Sequence, residues 1–118
     1  MATRKQQLRS KLLAHALDFP GAYEDFPWGE SVAKVNKKVF VFLGRDDDPQ
    51  GMAVKLAESH EQAMSMPGIE PSGYGLGKAG WVSVSFGPDA PPLGVLRDWI
   101  EESYRLVAPK KLVAQLDD

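Results

Sequence analysis

From Phe19 to Leu43 the chain reads FPGAYEDFPWGESVAKVNKKVFVFL, and this stretch restricts the fold more than any other. Phe19-Pro20-Gly21 ends any helix before it, because the residue preceding a proline is pushed out of the α region. Tyr23 to Gly29 then reads as an extended edge segment, since Pro27 cannot donate to a strand ladder. Ser31 to Asn36 and Val39 to Leu43 are β-rich runs, with Asn36-Lys37-Lys38 as the turn that joins them. A helix stop, an edge and a hairpin in such quick succession point to a sheet that helices must cover.

The flanks supply those helices. Thr3 followed by Gln6 fits a capping box. Leu8, Leu12, Leu13, Ala16 and Leu17 recur near helical spacing, although Arg9 falls inside their arc. At the other end Leu93, Leu96, Trp99, Ile100, Ser103, Tyr104 and Val107 form one apolar stripe. Glu101 and Arg105 stand i,i+4 in the favourable order on the opposite side. Ser103 lies within the stripe, so its hydroxyl is expected to bond a local carbonyl or a loop. Pro109 ends or kinks this helix, and Lys110 to Leu116 reads as a short helical tail.

Between the helices, Met52 to Ala57 and Trp81 to Phe86 read as further strands. Gly44 to Gln50 is a polar loop, and Ser59 with Gln62 suggests a second capping box on a short helix through about Met66. Pro67 to Gly80, rich in glycine and proline, reads as a loop in which Tyr74 could cover Trp81. Trp28, between Pro27 and Gly29, is expected to plug the core beside the first helix. The fold class is therefore α/β in the α+β, two-layer sense: an antiparallel sheet with the N- and C-terminal helices packed on one face. At 118 residues it is expected to be a single domain, residues 1–118.

Strand alternation assigns the two faces of the sheet. Val82, Val84 and Phe86 should meet the helices, as should Met52, Val54 and Leu56. Lys34, Lys55, Trp81, Ser83 and Ser85 should lie on the open face, with Lys37 and Lys38 extending it at the hairpin tip. A cationic sheet face with one aromatic suits a phosphate-bearing partner that can also stack.

Composition narrows the chemistry. The absence of cysteine excludes disulfides, thiolate metal sites and a thiol nucleophile. The N-terminal MATRKQQLRSKLL lacks the apolar core of a secretory signal, and no apolar run approaches the roughly 18 residues of a membrane helix, so a cytoplasmic location is expected. The net charge of −2 gives no overall basic footprint. It is unevenly spread, however: residues 1–18 carry Arg4, Lys5, Arg9 and Lys11 against Asp18 alone.

No catalytic constellation emerges. His15 reads as a helix-flank residue and His60 as a solvated one, with no nucleophile or paired carboxylates placed to work with them. The run GYGLGKAG lacks the ending of a phosphate loop and leads into a strand, not a helix. Asp46-Asp47-Asp48, closed by Pro49, reads as a hairpin turn and not as a cation site. No catalytic residue, metal ligand or cofactor is assigned.

The segment FPGAYEDFPWGESVAKVNKKVFVFL resembles the signature of the MmcQ/YjbR-like family. The resemblance continues through Val54-Lys55-Leu56, the Pro67 to Trp81 stretch and Ser103-Tyr104-Arg105-Leu106-Val107, and so covers about Leu12 to Leu112. It implies a CyaY-like (frataxin-like) fold and a DNA-binding function through a double-wing motif. The frataxin-like fold also raises iron binding, but the first helix here is basic where that chemistry needs a carboxylate ridge.

The expectation is thus a monomeric, non-enzymatic domain that binds DNA. Lys34, Lys37, Lys38, Lys55 and Lys78 would contact phosphates, and Trp81 would stack on a base. The alternative is a protein-interaction or small-ligand module that uses the same face.

Overall fold

The chain starts its first helix where the sequence places it. Gln6 donates its backbone N–H to Thr3 Oγ1 at 3.1 Å, and Thr3 N–H returns to Gln6 Oε1 at 2.9 Å, which closes the capping box of α1, Arg4–Leu17. The computed structural model describes residues 2–73 and 75–117. Beyond α1 come β1 (Tyr23–Asp25), β2 (Ser31–Val35), β3 (Lys38–Gly44), β4 (Gly51–Lys55), α2 (His60–Met64), β5 (Ile69–Pro71), a 3-10 turn (Leu76–Ala79), β6 (Trp81–Ser85), α3 (Leu93–Val107) and α4 (Lys110–Leu116).

The six strands form one antiparallel sheet in the order β1-β2-β3-β4-β6-β5. The helices α1 and α3 pack together over one face, which gives the expected α+β two-layer arrangement. The core between the layers holds Leu12 and Ala16 of α1, Val41, Val54 and Val82 of the sheet, and Leu96 and Ile100 of α3, all 0% exposed. Burying such side chains supplies the main drive for folding, about 25 cal/mol per Å² of apolar surface. An aromatic group closes one end of this core. Phe19 stacks on Tyr104 at 4.7 Å, Phe40 meets the same ring edge-on at 5.3 Å, and Tyr104 Oη donates to Pro20 O at 2.6 Å.

Strand β3 departs twice from regular pairing with β2. The register runs Ser31↔Gly44, Val32↔Phe42, Ala33↔Val41, Lys34↔Val39, so Leu43 and Phe40 are each passed over. Such bulges leave a residue off the ladder and increase the local twist. Here they put Phe40, Val41 and Leu43 all into the core.

Side chains from the two long helices take the carbonyls at both bulges. Arg9 donates its Nε to Leu43 O at 2.9 Å and its Nη2 to Gly44 O at 3.2 Å, which explains a buried arginine in the apolar arc of α1. Ser103 donates its hydroxyl to Phe40 O and accepts the Lys55 backbone N–H at 2.9 Å. The β3–β4 ladder pairs Val41 with Val54 and Phe42 with Ala53, so Phe40 and Lys55 would be next in register. The serine hydroxyl sits between them in place of the direct cross-strand bond.

Several local expectations are corrected. The Ser59–Gln62 capping box does not form. Ser59 has φ −86° and ψ −1°, and its hydroxyl donates to Glu102 Oε1 of α3 at 2.7 Å. That carboxylate also accepts from the backbone N–H of Ala57 and of Ser59, so a distant acid replaces the local cap.

The Pro67–Gly80 stretch contains β5, which three residues with a glutamate and a proline give no alternation to reveal. Trp28 is 86% exposed and does not plug the core. It lies in the β1–β2 turn, where Gly29 has φ +77° and the turn carries the indole past the end of the edge strand. Phe26 beside it is also exposed.

Candidate nucleic-acid interface

The open face of the sheet is built from the residues that alternation assigned to it. One cross-strand row runs Asp25–Val32–Phe42–Ala53–Ser83–Glu70, in register through β1, β2, β3, β4, β6 and β5. Its middle is apolar and its ends are acidic. Val32 is 1% exposed although it lies outside the main core, and Trp81 packs edge-on against Phe42 at 5.3 Å. The face therefore carries a small apolar cluster of its own.

Trp81 is on the expected side but is 8% exposed. Phe42 packs against it in a T-shaped contact and Lys55 is its cross-strand partner, so little of the indole is left accessible. Tyr74, expected to cover it, lies outside the described residues.

Lys34 occupies the open face opposite Tyr23 and Val39, and its Nζ donates to Asp25 Oδ2 at 2.7 Å. That hydrogen bond, reinforced by the Phe26 N–H, holds the Asp25 carboxyl below its ordinary value of 3.8, and the lysine is raised in turn. The contribution of the pair is in place above pH 3.8 and is lost as pH falls through the depressed Asp25 value. Lys34→Met should return the Asp25 titration, followed by NMR of its carboxyl carbon, toward 3.8. An unmoved titration would assign the shift to the Phe26 N–H instead.

The remaining lysines are less engaged. Lys37 and Lys38 are exposed at the β2–β3 hairpin, Lys78 is exposed on the 3-10 turn, and Lys55 is half-buried at the end of β4. Strand direction gathers them all. β2 runs toward the hairpin, β4 finishes at that end with Lys55, and β6 starts there with Trp81 just after Lys78. Lys34, Lys37, Lys38, Lys55 and Lys78 therefore share one end of the sheet.

Two turns fix this end. Asn36 and Lys37 both take positive φ, 50° and 68°, the pattern of a two-residue hairpin turn. Gly80 has φ +98°, and a Cβ there would meet Leu56 O at 2.6 Å, so only glycine lets the Lys78 turn lie this close to β4. The Gly75–Gly80 run is thus an instance of close backbone approach.

The other end of the sheet carries Glu30, Arg45 and the acidic triplet. Each aspartate of the triplet turns to a different partner. Asp46 lies 3.5 Å from Arg9, Asp47 forms a two-pronged pair with Arg45, and Asp48 accepts from Gln50. A groove of about 570 Å³ opens here onto the face. Its lining includes Glu30, Asp48 and Glu70, with Arg45, already paired to Asp47, as its one cation. The open face is thus divided into a lysine end and a carboxylate end, which alternation alone does not reveal because it sorts residues by face and not by position along the strand.

A family model described as YjbR matches residues 17–106. The chain belongs to the YjbR family. No match was found among curated proteins. Among solved structures the chain is similar to Deinococcus radiodurans protein DR2400, which carries a DUF419 domain, at 25% identity and a TM-score of 0.74. That similarity covers 99% of this chain and 92% of the other. The expected family and the two-layer fold are both met by these comparisons. Among the described residues of this YjbR-family chain, no helix is long and apolar enough to cross a membrane.

Proposed function

We propose that this YjbR-family chain is a monomeric, non-enzymatic DNA-binding domain that holds phosphates at the lysine end of its sheet. The observation that carries the reading is Lys37. It sits exposed at φ 68° in a two-residue turn, where glycine would be unstrained, beside Lys38, which is exposed at the start of β3 opposite Val35. Lys55 at the end of β4 and Lys78 on the 3-10 turn before β6 add positive charge at the same end of the sheet. Lys34 orders the edge of the face through Asp25 and contributes less free charge.

Binding of this kind is dominated by counterion release. Changing Lys37, Lys38, Lys55 and Lys78 together to glutamine should reduce the slope of log affinity against log salt by about 0.9 for each phosphate that is no longer neutralised. Fluorescence anisotropy with a labelled duplex, read from low to physiological salt, measures that slope. Absence of binding at low salt, or an unchanged slope in the quadruple variant, would overturn the proposal.

The carboxylate groove favours a second reading, a module that accepts a cationic group from a protein or small ligand. Glu30, Asp48 and Glu70 around an apolar floor suit an amine on a hydrophobic stem. A lysine-rich peptide that binds the wild type and fails to bind Glu30→Gln/Glu70→Gln would support it.

A further inference from the structure

A third surface, on the helix side of the molecule, has a different character. A groove of about 730 Å³ lies between α1 and the chain that connects β6 to α3. This volume falls within the range of small-molecule sites. Its cations are Arg4, Lys5 and Lys11, and no carboxylate is among its lining residues. Asp89, between two lining residues in sequence, is not one of them. Among the described residues none of the three cations forms an ion pair or a side-chain hydrogen bond, whereas Arg9 on the same helix is fully engaged.

The arrangement of these charges is ordered along the helix. Arg4, Leu8 and Lys11 follow at i, i+4 and i+7, so one apolar side chain separates two cations about 10 Å apart along the axis. Phe86, buried just after β6, and Leu93, at the start of α3, also line the groove. Arg4 and Lys5 occupy the first turn of α1, which holds no acid. The helix dipole disfavours cations at that position, and an anion seated beside them would reverse the penalty. Positive charge along one wall and apolar side chains in a half-open groove select the same kind of molecule.

We infer that this groove binds a small organic phosphate: a phosphate ester whose anionic group meets Arg4, Lys5 and Lys11 and whose apolar body lies on Leu8, Phe86 and Leu93. The site shares no residue with the lysine end of the sheet, and the inference stands whether or not that end binds DNA.

Amide NMR titrations with adenosine monophosphate and with phenyl phosphate test this, with adenosine as the uncharged control. The expected result is saturable shifts at residues 4–11 and 86–93 from at least one phosphate ester and none from adenosine. Arg4→Gln/Lys5→Gln/Lys11→Gln keeps good helix formers at exposed positions and should weaken binding at least about tenfold. Lys37→Gln/Lys38→Gln should leave it unchanged. The inference is overturned if neither ester gives saturable shifts, if the triple variant binds as the wild type does, or if the shifts map to the hairpin and vanish in its double variant.

Discussion

Tyr104→Ala is expected to destabilise the domain by about 3–5 kcal/mol, the range for removing a large aromatic from a packed core. The ring is fully buried, stacks on Phe19 and meets Phe40 edge-on, so its loss opens a cavity between α3, the α1–β1 corner and β3. The hydroxyl adds a bond to Pro20 O that holds the corner after α1. Tyr104→Phe keeps the ring and should cost about 1 kcal/mol. Urea unfolding of the two variants separates the ring from the hydroxyl. A near-equal loss in both would place the stabilisation in the hydrogen bond.

The same tyrosine predicts an alkaline effect. Burial raises its phenol above the ordinary value of 10.0. Its contribution is complete below pH 10 and is lost as pH rises through the raised value, because the unfolded chain ionises first. Tyr104→Phe should remove that part of the alkaline loss of stability.

Ser103→Ala is the second large effect, out of proportion to the one oxygen it removes. The hydroxyl serves two backbone groups, the Phe40 C=O and the Lys55 N–H, at a point where the strands do not pair directly. An unsatisfied buried group costs about 1–3 kcal/mol, so the variant should lose about 2–4 kcal/mol. The Lys55 amide should also lose its protection from hydrogen exchange, and the local consequence reaches the lysine end of the sheet. If stability falls by less than about 1 kcal/mol and the Lys55 amide stays protected, then β3 and β4 have closed to pair directly, and the serine is no obligatory wedge.

These two residues show what can be read in advance. Both stand in the apolar stripe of α3, and periodicity places them against the sheet. It also places Val82, Val84 and Phe86 inward and Ser83 and Ser85 outward, and it gives α1 its cap and its stop. What it does not show is the pair of bulges in β3, because a register slip depends on which carbonyl meets which N–H across strands. The polar residues inside apolar arcs, Arg9 and Ser103, are the visible signs, and each serves a bulge carbonyl. β5 gives no sign, since three residues at an edge are too short to alternate. Trp28 and Trp81 depart from expectation in opposite directions: one is expected in the core and is 86% exposed, the other is expected to offer a face and is 8% exposed. Aromatic identity says that a side chain gains from burial, not that a neighbour is present to bury it.

The candidate sites divide in the same way. Lys34, Lys55 and Trp81 do lie on the open face that alternation assigns them, yet Asp25 claims Lys34 and Phe42 packs against Trp81. The basic character of residues 1–18 is legible as composition, and the groove beside it is not. Sequence alone is enough for most of the elements, their faces and the family, because backbone propensity and side-chain periodicity act over a few residues. Which charges stay free is settled by tertiary packing, since pairing and burial depend on neighbours that strand order and helix packing bring together from distant parts of the chain.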